Sequence, residues 1–155
     1  MDARNSIDSR TLYERDYAIW LETTIEQLKR GQFSRLDLEN LVEELEGMVR
    51  SDRRALESYL TRLFEHFLKL AYWKSEREYN RRGWTGKITN FRIQIARLLE
   101  DSPSLKPYLE KVFQRSYRDA RKIFLKTTGL DPREIPAEPI ATLEEVLDED
   151  WFPDV

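Results

Sequence analysis

The chain has 155 residues, of which 35% are charged and 40% hydrophobic, with a formal net charge of −3 and no cysteine. That length suits one domain, and seven Phe, seven Tyr and four Trp can anchor a packed core, which argues against intrinsic disorder. Without cysteine there is no disulfide framework and no thiolate-held zinc or iron–sulfur centre, and the lone histidine, His66, excludes any site that needs two. The opening stretch Met1–Arg10 is polar, with no apolar core of a signal peptide, and nothing approaches the ~18–20 consecutive apolar residues of a membrane span. A soluble, reducing, cytoplasmic setting without membrane contact is the default expectation.

Glycine and proline punctuate the chain sparsely, with no proline before Pro103, and long breaker-free stretches rich in Leu, Glu, Arg and Lys predict helices. From Leu12 to Leu28, Tyr13, Tyr17, Trp20, Leu21, Ile25 and Leu28 recur three or four apart, with Gly31 as a stop. A second helix opens at Asp37, a good cap, and carries Leu38, Leu41, Val42, Leu45, Met48 and Val49. A third carries Leu56, Leu60, Leu63, Phe64, Phe67, Leu68 and Ala71, and a break over Gly47–Asp52 with Ser51 as a new cap is expected between them. Ser75 to Gly86 is polar, holds two glycines and reads as a connection. Helical spacing resumes with Ile88, Phe91, Ile95, Leu98 and Leu99.

Ser102-Pro103 suits an N-cap followed by proline at the first helical position. The next helix carries Leu105, Leu109, Val112, Phe113, Ser116, Ala120, Ile123 and Phe124, tolerates Pro107 in its first turn, and stops at Gly129. Beyond it, Thr142-Leu143-Glu144-Glu145 is a capping box for a short helix near 143–148. No run of β-branched alternation predicts a strand. The expected fold is therefore all-α, a bundle of four to five helices. Residues 1–129 form the bundle, and 130–155 form an acidic, proline-containing tail packed on it within a single domain.

Charge is divided along the chain. Residues 1–129 hold 25 basic and 20 acidic side chains, whereas 130–155 hold one and nine. Basic residues gather over 74–97 and 106–126. In one reading the tail folds back on them by charge matching, with Trp151 and Phe152 as apolar anchors. In the other the basic surface binds nucleic-acid phosphate through Arg77, Arg81, Arg82 and Arg92. Trp84 would then stack on bases, together with Tyr72, Trp73 and Tyr79. Charge matching is the commoner use of such a pattern, and no recognised nucleic-acid module is present.

Catalytic signals are weak. His66 has the residue type for acid–base work, but Tyr59, Leu63 and Leu70 at −7, −3 and +4 place it on or beside a core stripe. Glu39, Glu43 and Glu46 share one helix face and, with His66 opposite, offer oxygen and nitrogen ligands to a metal. Leu63 stands where a Glu-x-x-His motif would need glutamate, so no metal ligand is assigned and no cofactor is expected. Arg62 and His66 are too close for an Arg-x(4–6)-His ribonuclease motif, and neither a phosphate loop nor a Gly-x-Ser-x-Gly elbow occurs.

The order of segments is nonetheless specific. Leu12-Tyr13-Glu14-Arg15-Asp16-Tyr17-Ala18-Ile19-Trp20 and Leu36–Met48 (Leu-Asp-Leu-Glu-Asn-Leu-Val-Glu-Glu-Leu-Glu-Gly-Met) lead the pattern. Ser51–Glu57, His66-Phe67-Leu68-Lys69, Leu99–Leu105, Tyr117–Arg121, Thr142–Leu147 and Trp151-Phe152-Pro153 continue it. Over about residues 9–153 the chain resembles domain-of-unknown-function family 29. The resemblance implies a small all-helical bacterial protein with no assigned activity, so no catalytic residue can be carried over. Among the motif residues, Glu43, Glu46, His66 and Lys69 are polar beside expected core stripes, which predicts an internal Glu–His or Glu–Lys network. The reading is a non-catalytic helical module acting through an unidentified protein partner or a homodimer. A nucleic-acid-associated protein is the alternative, and a metal-dependent enzyme centred on Glu43, Glu46 and His66 the second alternative.

Overall fold

Every regular element in the computed structural model is helical among the described residues, 11–154, outside which the opening stretch Met1–Arg10 falls. Helical turns over 11–15 end at Asp16, whose side chain accepts from the Ile19 N–H and caps α1 (Tyr17–Lys29). Gly31, at φ 68°, ends that helix in the left-handed region. Then follow α2 (Leu38–Tyr72), α3 (Lys74–Asp101), α4 (Lys106–Thr128) and α5 (Leu143–Leu147), with 3-10 turns at Phe33–Arg35, Pro103–Leu105 and Pro132–Glu134. The all-α expectation holds.

Two sequence expectations about where helices run fail. The break over Gly47–Asp52 does not exist, because α2 runs unbroken for 35 residues and Ser51 caps nothing. The polar stretch from Ser75 to Gly86 is not a connection but the first half of α3. There Trp73, Arg77, Asn80 and Trp84 continue the helical stripe backwards from Ile88, and since two of the four are polar the apolar period is hidden in the sequence. Glycines at 83 and 86 each cost about 1 kcal/mol relative to alanine, which burial of Trp84, Ile88, Phe91 and Ile95 outweighs. The real connection between α2 and α3 is Trp73 alone, stacked on Trp84 at 5.8 Å.

Local signals elsewhere behave as read. At the start of α2 the Asp37 carboxylate accepts from the Asn40 backbone N–H at 3.5 Å and from the Asn40 side chain at 2.7 Å. Pro107 sits in the first turn of α4, Gly129 ends it at φ 71°, and Thr142 with Glu145 closes a complete capping box on α5. Ser102 departs from expectation: it precedes a 3-10 turn and its side chain makes no capping bond.

The chain divides within α2 into two compact units, one reaching Ser51 and the other beginning at Asp52. The second holds a full core. Leu56, Leu60, Leu63, Phe64 and Phe67 of α2, Ile88 and Ile95 of α3, and Leu109, Tyr117 and Phe124 of α4 pack together with Ile135 and Val146. Phe64 meets Phe113 and Tyr117 edge-on at 5.2 and 5.1 Å. The first unit is different. Among its described residues the one buried hydrophobic side chain is Trp20, whose indole N–H has no partner among them.

Candidate interaction surface

Among the described residues, the first unit leaves ten large hydrophobic side chains exposed: Tyr17, Ile19, Ile25, Leu28, Phe33, Leu38, Val42, Leu45, Met48 and Val49. On α2 the stripe read from sequence as core is thus uncovered, with Leu38 63% and Met48 60% exposed. Periodicity identifies which face of a helix is apolar, but what covers that face depends on the rest of the fold. Leu38, Val42, Leu45 and Val49 follow one another at spacings of four, three and four, the seam spacing of helices that pair along their length. On the same helix the seam reaches Leu56, Leu60, Leu63 and Phe67, all fully buried in the second unit's core.

The hairpin of α1 and α2 is held by an aromatic clamp that the sequence reading missed. The Tyr13 and Tyr17 hydroxyls donate to the two carboxylate oxygens of Glu44 at 2.5 and 2.6 Å. Tyr13 also meets Trp20 edge-on at 4.8 Å. Hydrogen bonds from Tyr13 and then Tyr17 hold the Glu44 carboxyl below its ordinary range, and the same bond pushes the Tyr13 phenol up to about 12. The signal was present as Tyr13 and Tyr17 four apart, but their carboxylate partner lies 27 or more residues away.

The residues singled out for metal chemistry are not assembled. Glu43 and Glu46 both reach Arg50, at 3.0 and 3.8 Å, as exposed ion pairs. His66 stands about six turns further along α2, far beyond the reach of a shared metal. Among the described residues no group of three His, Asp or Glu side chains is gathered as a metal would require. His66 is instead 3% exposed, edge-on to Phe91, and its Nδ1 lies 2.7 Å from the Arg62 carbonyl, which fixes the proton there. Its Nε2 is buried without a partner. Burial, above all, pushes its pKa down to about 4, with the Lys69 and Lys87 charges adding to the effect, so the ring is neutral near pH 7. Lys69 is pushed down by burial and partly restored by Glu65, whose own carboxyl is pushed up by burial. The expected Glu–His network is therefore a histidine–carbonyl bond. The glutamate that acts on Lys69 is Glu65, one helical turn away.

The five residues proposed for nucleic acid divide. Arg92 is buried, and so is Trp84, which packs on Trp73. Arg77 donates to the Ala71 carbonyl at 2.8 Å near the end of α2. Arg81 and Arg82 are exposed, as is Tyr79. Arg92 binds main chain instead of phosphate: Nε donates to Val146 O at 2.8 Å, Nη2 to Trp151 O at 2.8 Å and Glu145 O at 3.2 Å, and Nη1 to Glu149 O at 3.4 Å. Its guanidinium also lies 5.1 Å from the Phe67 ring centre and 5.2 Å from that of Phe152. Arg121 likewise donates to Pro132 O and Ile135 O, and Tyr117 to Pro136 O at 2.6 Å. Basic groups do engage the tail, but through its carbonyls rather than its carboxylates.

No helix among the described residues is long and apolar enough to cross a membrane. No curated protein and no solved structure matches the chain. The family model described as Domain of unknown function DUF29 matches residues 12–152, nearly the whole chain, and the protein belongs to that family.

Proposed function

We propose that this protein is a non-catalytic helical interaction module that binds another protein through the exposed apolar face of its first unit. One observation carries the reading: among the described residues of the first unit, ten large hydrophobic side chains lie exposed against a single buried one. Monomeric proteins rarely leave large contiguous apolar patches uncovered, and Leu38, Val42, Leu45 and Val49 follow one another along one face of α2. The groups best suited to acid–base chemistry have structural roles, Glu43 and Glu46 on Arg50 and His66 neutral in the core.

Site-specific photocrosslinking in the native host tests this. A photoreactive residue at Leu45 or Met48 is expected to give protein adducts, with itself or with another chain, while the same residue at exposed Arg118 gives none. Equal yields at all three positions, or no adduct at Leu45 and Met48, would overturn the proposal. A second reading, contact with nucleic-acid phosphate, keeps Arg81 and Arg82 beside Tyr79, which is 95% exposed. It requires binding that weakens steeply with salt, and salt-insensitive or undetectable binding to single-stranded RNA or DNA would dismiss it.

A further inference from the structure

Independently of the interaction reading, we propose that the second unit binds a small phosphate monoester in the cleft between α2 and α4, through Arg54, Ser58 and Arg62.

The cleft has a volume of about 450 Å³, within the ~300–1,000 Å³ usual for small-molecule sites, and is lined by one face of α2 and by Ile123 of α4. On that face Arg54, Ser58 and Arg62 recur every four residues, so they follow one another over about 12 Å of helix. Among the described residues neither guanidinium makes an ion pair or a hydrogen bond, although Glu57 and Glu65 line the same cleft. Both carboxylates have other partners. Glu57 accepts from Arg115 at 2.8 and 2.9 Å and from Tyr108 at 2.9 Å. Burial pushes the Glu65 carboxyl up, and the Lys69 charge, ahead of that of Arg62, opposes the shift. Four cations (Arg54, Arg62, Lys69 and Arg115) thus stand with two carboxylates, an excess that matches a phosphate dianion.

The polar groups left over are donors. Thr61 donates its hydroxyl hydrogen to the Glu57 carbonyl at 2.9 Å. The Ser58 hydroxyl is exposed and makes no hydrogen bond among the described residues. Guanidinium, hydroxyl and guanidinium therefore form one run of donors, and planar guanidinium forks take phosphate oxygens two at a time. Ile123, 46% exposed, gives the rest of the ligand an apolar wall. The residues that line the cleft include no aromatic ring on which a nucleobase would stack. A nucleic-acid strand would also bring further phosphates over Glu57 and Glu65. One phosphate on a small aliphatic body meets both constraints.

Calorimetric titration of the full chain with monobutyl phosphate is expected to show one site, and amide NMR signals of residues 54–65 and Ile123 should shift together. Arg54→Gln and Arg62→Gln are each expected to weaken binding about tenfold or more. Arg118→Gln, outside the cleft, leaves it unchanged. Glu65→Gln removes an opposing charge and should tighten binding about threefold. That gain keeps the test decisive if an arginine variant fails to fold, which far-UV circular dichroism reports. Butyl phosphate should bind about threefold or more tighter than inorganic phosphate, a preference that Ile123→Ser removes. Equal weakening in all three arginine variants would mean diffuse attraction and overturn the site. Succinate, a dianion without phosphate geometry, binding as tightly as butyl phosphate would overturn the phosphate assignment. Amide shifts confined to α3 near Arg81 would overturn the cleft in favour of that surface, and no binding of any probe at about 10 mM would overturn the proposal as a whole.

Discussion

Replacing Arg92 distinguishes three accounts of how residues 145–152 are held. If the guanidinium acts as apolar bulk on Phe67 and Phe152, Arg92→Met is nearly silent, because methionine fills similar space. If it acts as a charge attracted to Asp148, Glu149 and Asp150, Arg92→Lys is nearly silent and high salt weakens the parent. If it acts as a fork on carbonyls, both substitutions destabilise, since methionine donates nothing and lysine's compact ammonium cannot span carbonyls on Glu145, Val146 and Trp151 together. The structure favours the third account. Two bonds at 2.8 Å are lost in Arg92→Met, and each stranded carbonyl costs about 1–3 kcal/mol. Relief of guanidinium burial offsets part of this, leaving a loss of about 3 kcal/mol for Met and about 1–2 kcal/mol for Lys. At about 4 °C per kcal/mol for a unit of about 100 residues, Tm falls by about 12 °C and about 6 °C respectively. Urea unfolding followed by far-UV circular dichroism measures both, and hydrogen exchange at the Asp148 and Trp151 amides reports whether the tail opens first. Either variant within about 0.5 kcal/mol of the parent would refute the carbonyl-fork account.

Three further outcomes follow from local geometry. As the sole histidine, His66 gives one imidazole resonance, expected to titrate near 4. Its folded value lies below the ordinary 6.5, so its contribution to stability is complete above pH 6.5 and is lost as pH falls towards 4; a midpoint near 6.5 would contradict its burial. The Tyr13–Tyr17–Glu44 clamp contributes fully between pH 4.5 and 10, is lost in acid as pH falls through the lowered Glu44 value, and is lost in base as pH rises towards 12. Phenolate absorbance of the parent minus Tyr13→Phe should show a midpoint near 12 that returns towards 10 in Glu44→Gln. Gly129→Ala forces a side chain into the left-handed region at φ 71° and should cost about 1–2 kcal/mol. Gly83→Ala, helical and with nothing within 4 Å of the added carbon, should stabilise by about 0.5–1 kcal/mol; equal effects at both positions in thermal melts would argue against these backbone assignments.

What was legible in the sequence was what is decided locally. The Thr142–Glu145 box, the Gly129 stop and Pro107 in a first turn each depend on residues within four positions of one another. What was not legible depended on distant partners. Arg77 and Arg92 look in sequence like two members of one basic cluster, yet one ends a helix and the other is buried beneath residues 53 to 59 positions away. Glu44 looks like its neighbours Glu43 and Glu46, and only its tertiary partners Tyr13 and Tyr17 set it apart. The missed first half of α3 has the same origin. Arg77 and Asn80 occupy stripe positions with polar side chains, so hydrophobic period alone cannot find them, and Gly83 and Gly86 argue locally for the wrong answer.

The continuity of α2 links these observations to function. A helix of 35 residues forms at little added cost once part of it is packed, because propagation adds one hydrogen bond per residue after nucleation. The part from Leu56 onward is packed, with Leu56, Leu60, Leu63 and Phe67 fully buried. The buried segment can therefore extend the helix through Leu38 without the first unit having a core of its own. Under the proposed interaction role, such a helix would present Leu38, Val42, Leu45 and Val49 at fixed spacing along one face, and that pre-organisation would lower the ordering entropy of binding. A break at Gly47, as the sequence pattern suggested, would have left those four residues on a short, loosely attached helix and removed this advantage. Gly47 is accommodated in the helix even though alanine there would favour it by about 1 kcal/mol. Its helical conformation follows from the unbroken run of α2 through Tyr72.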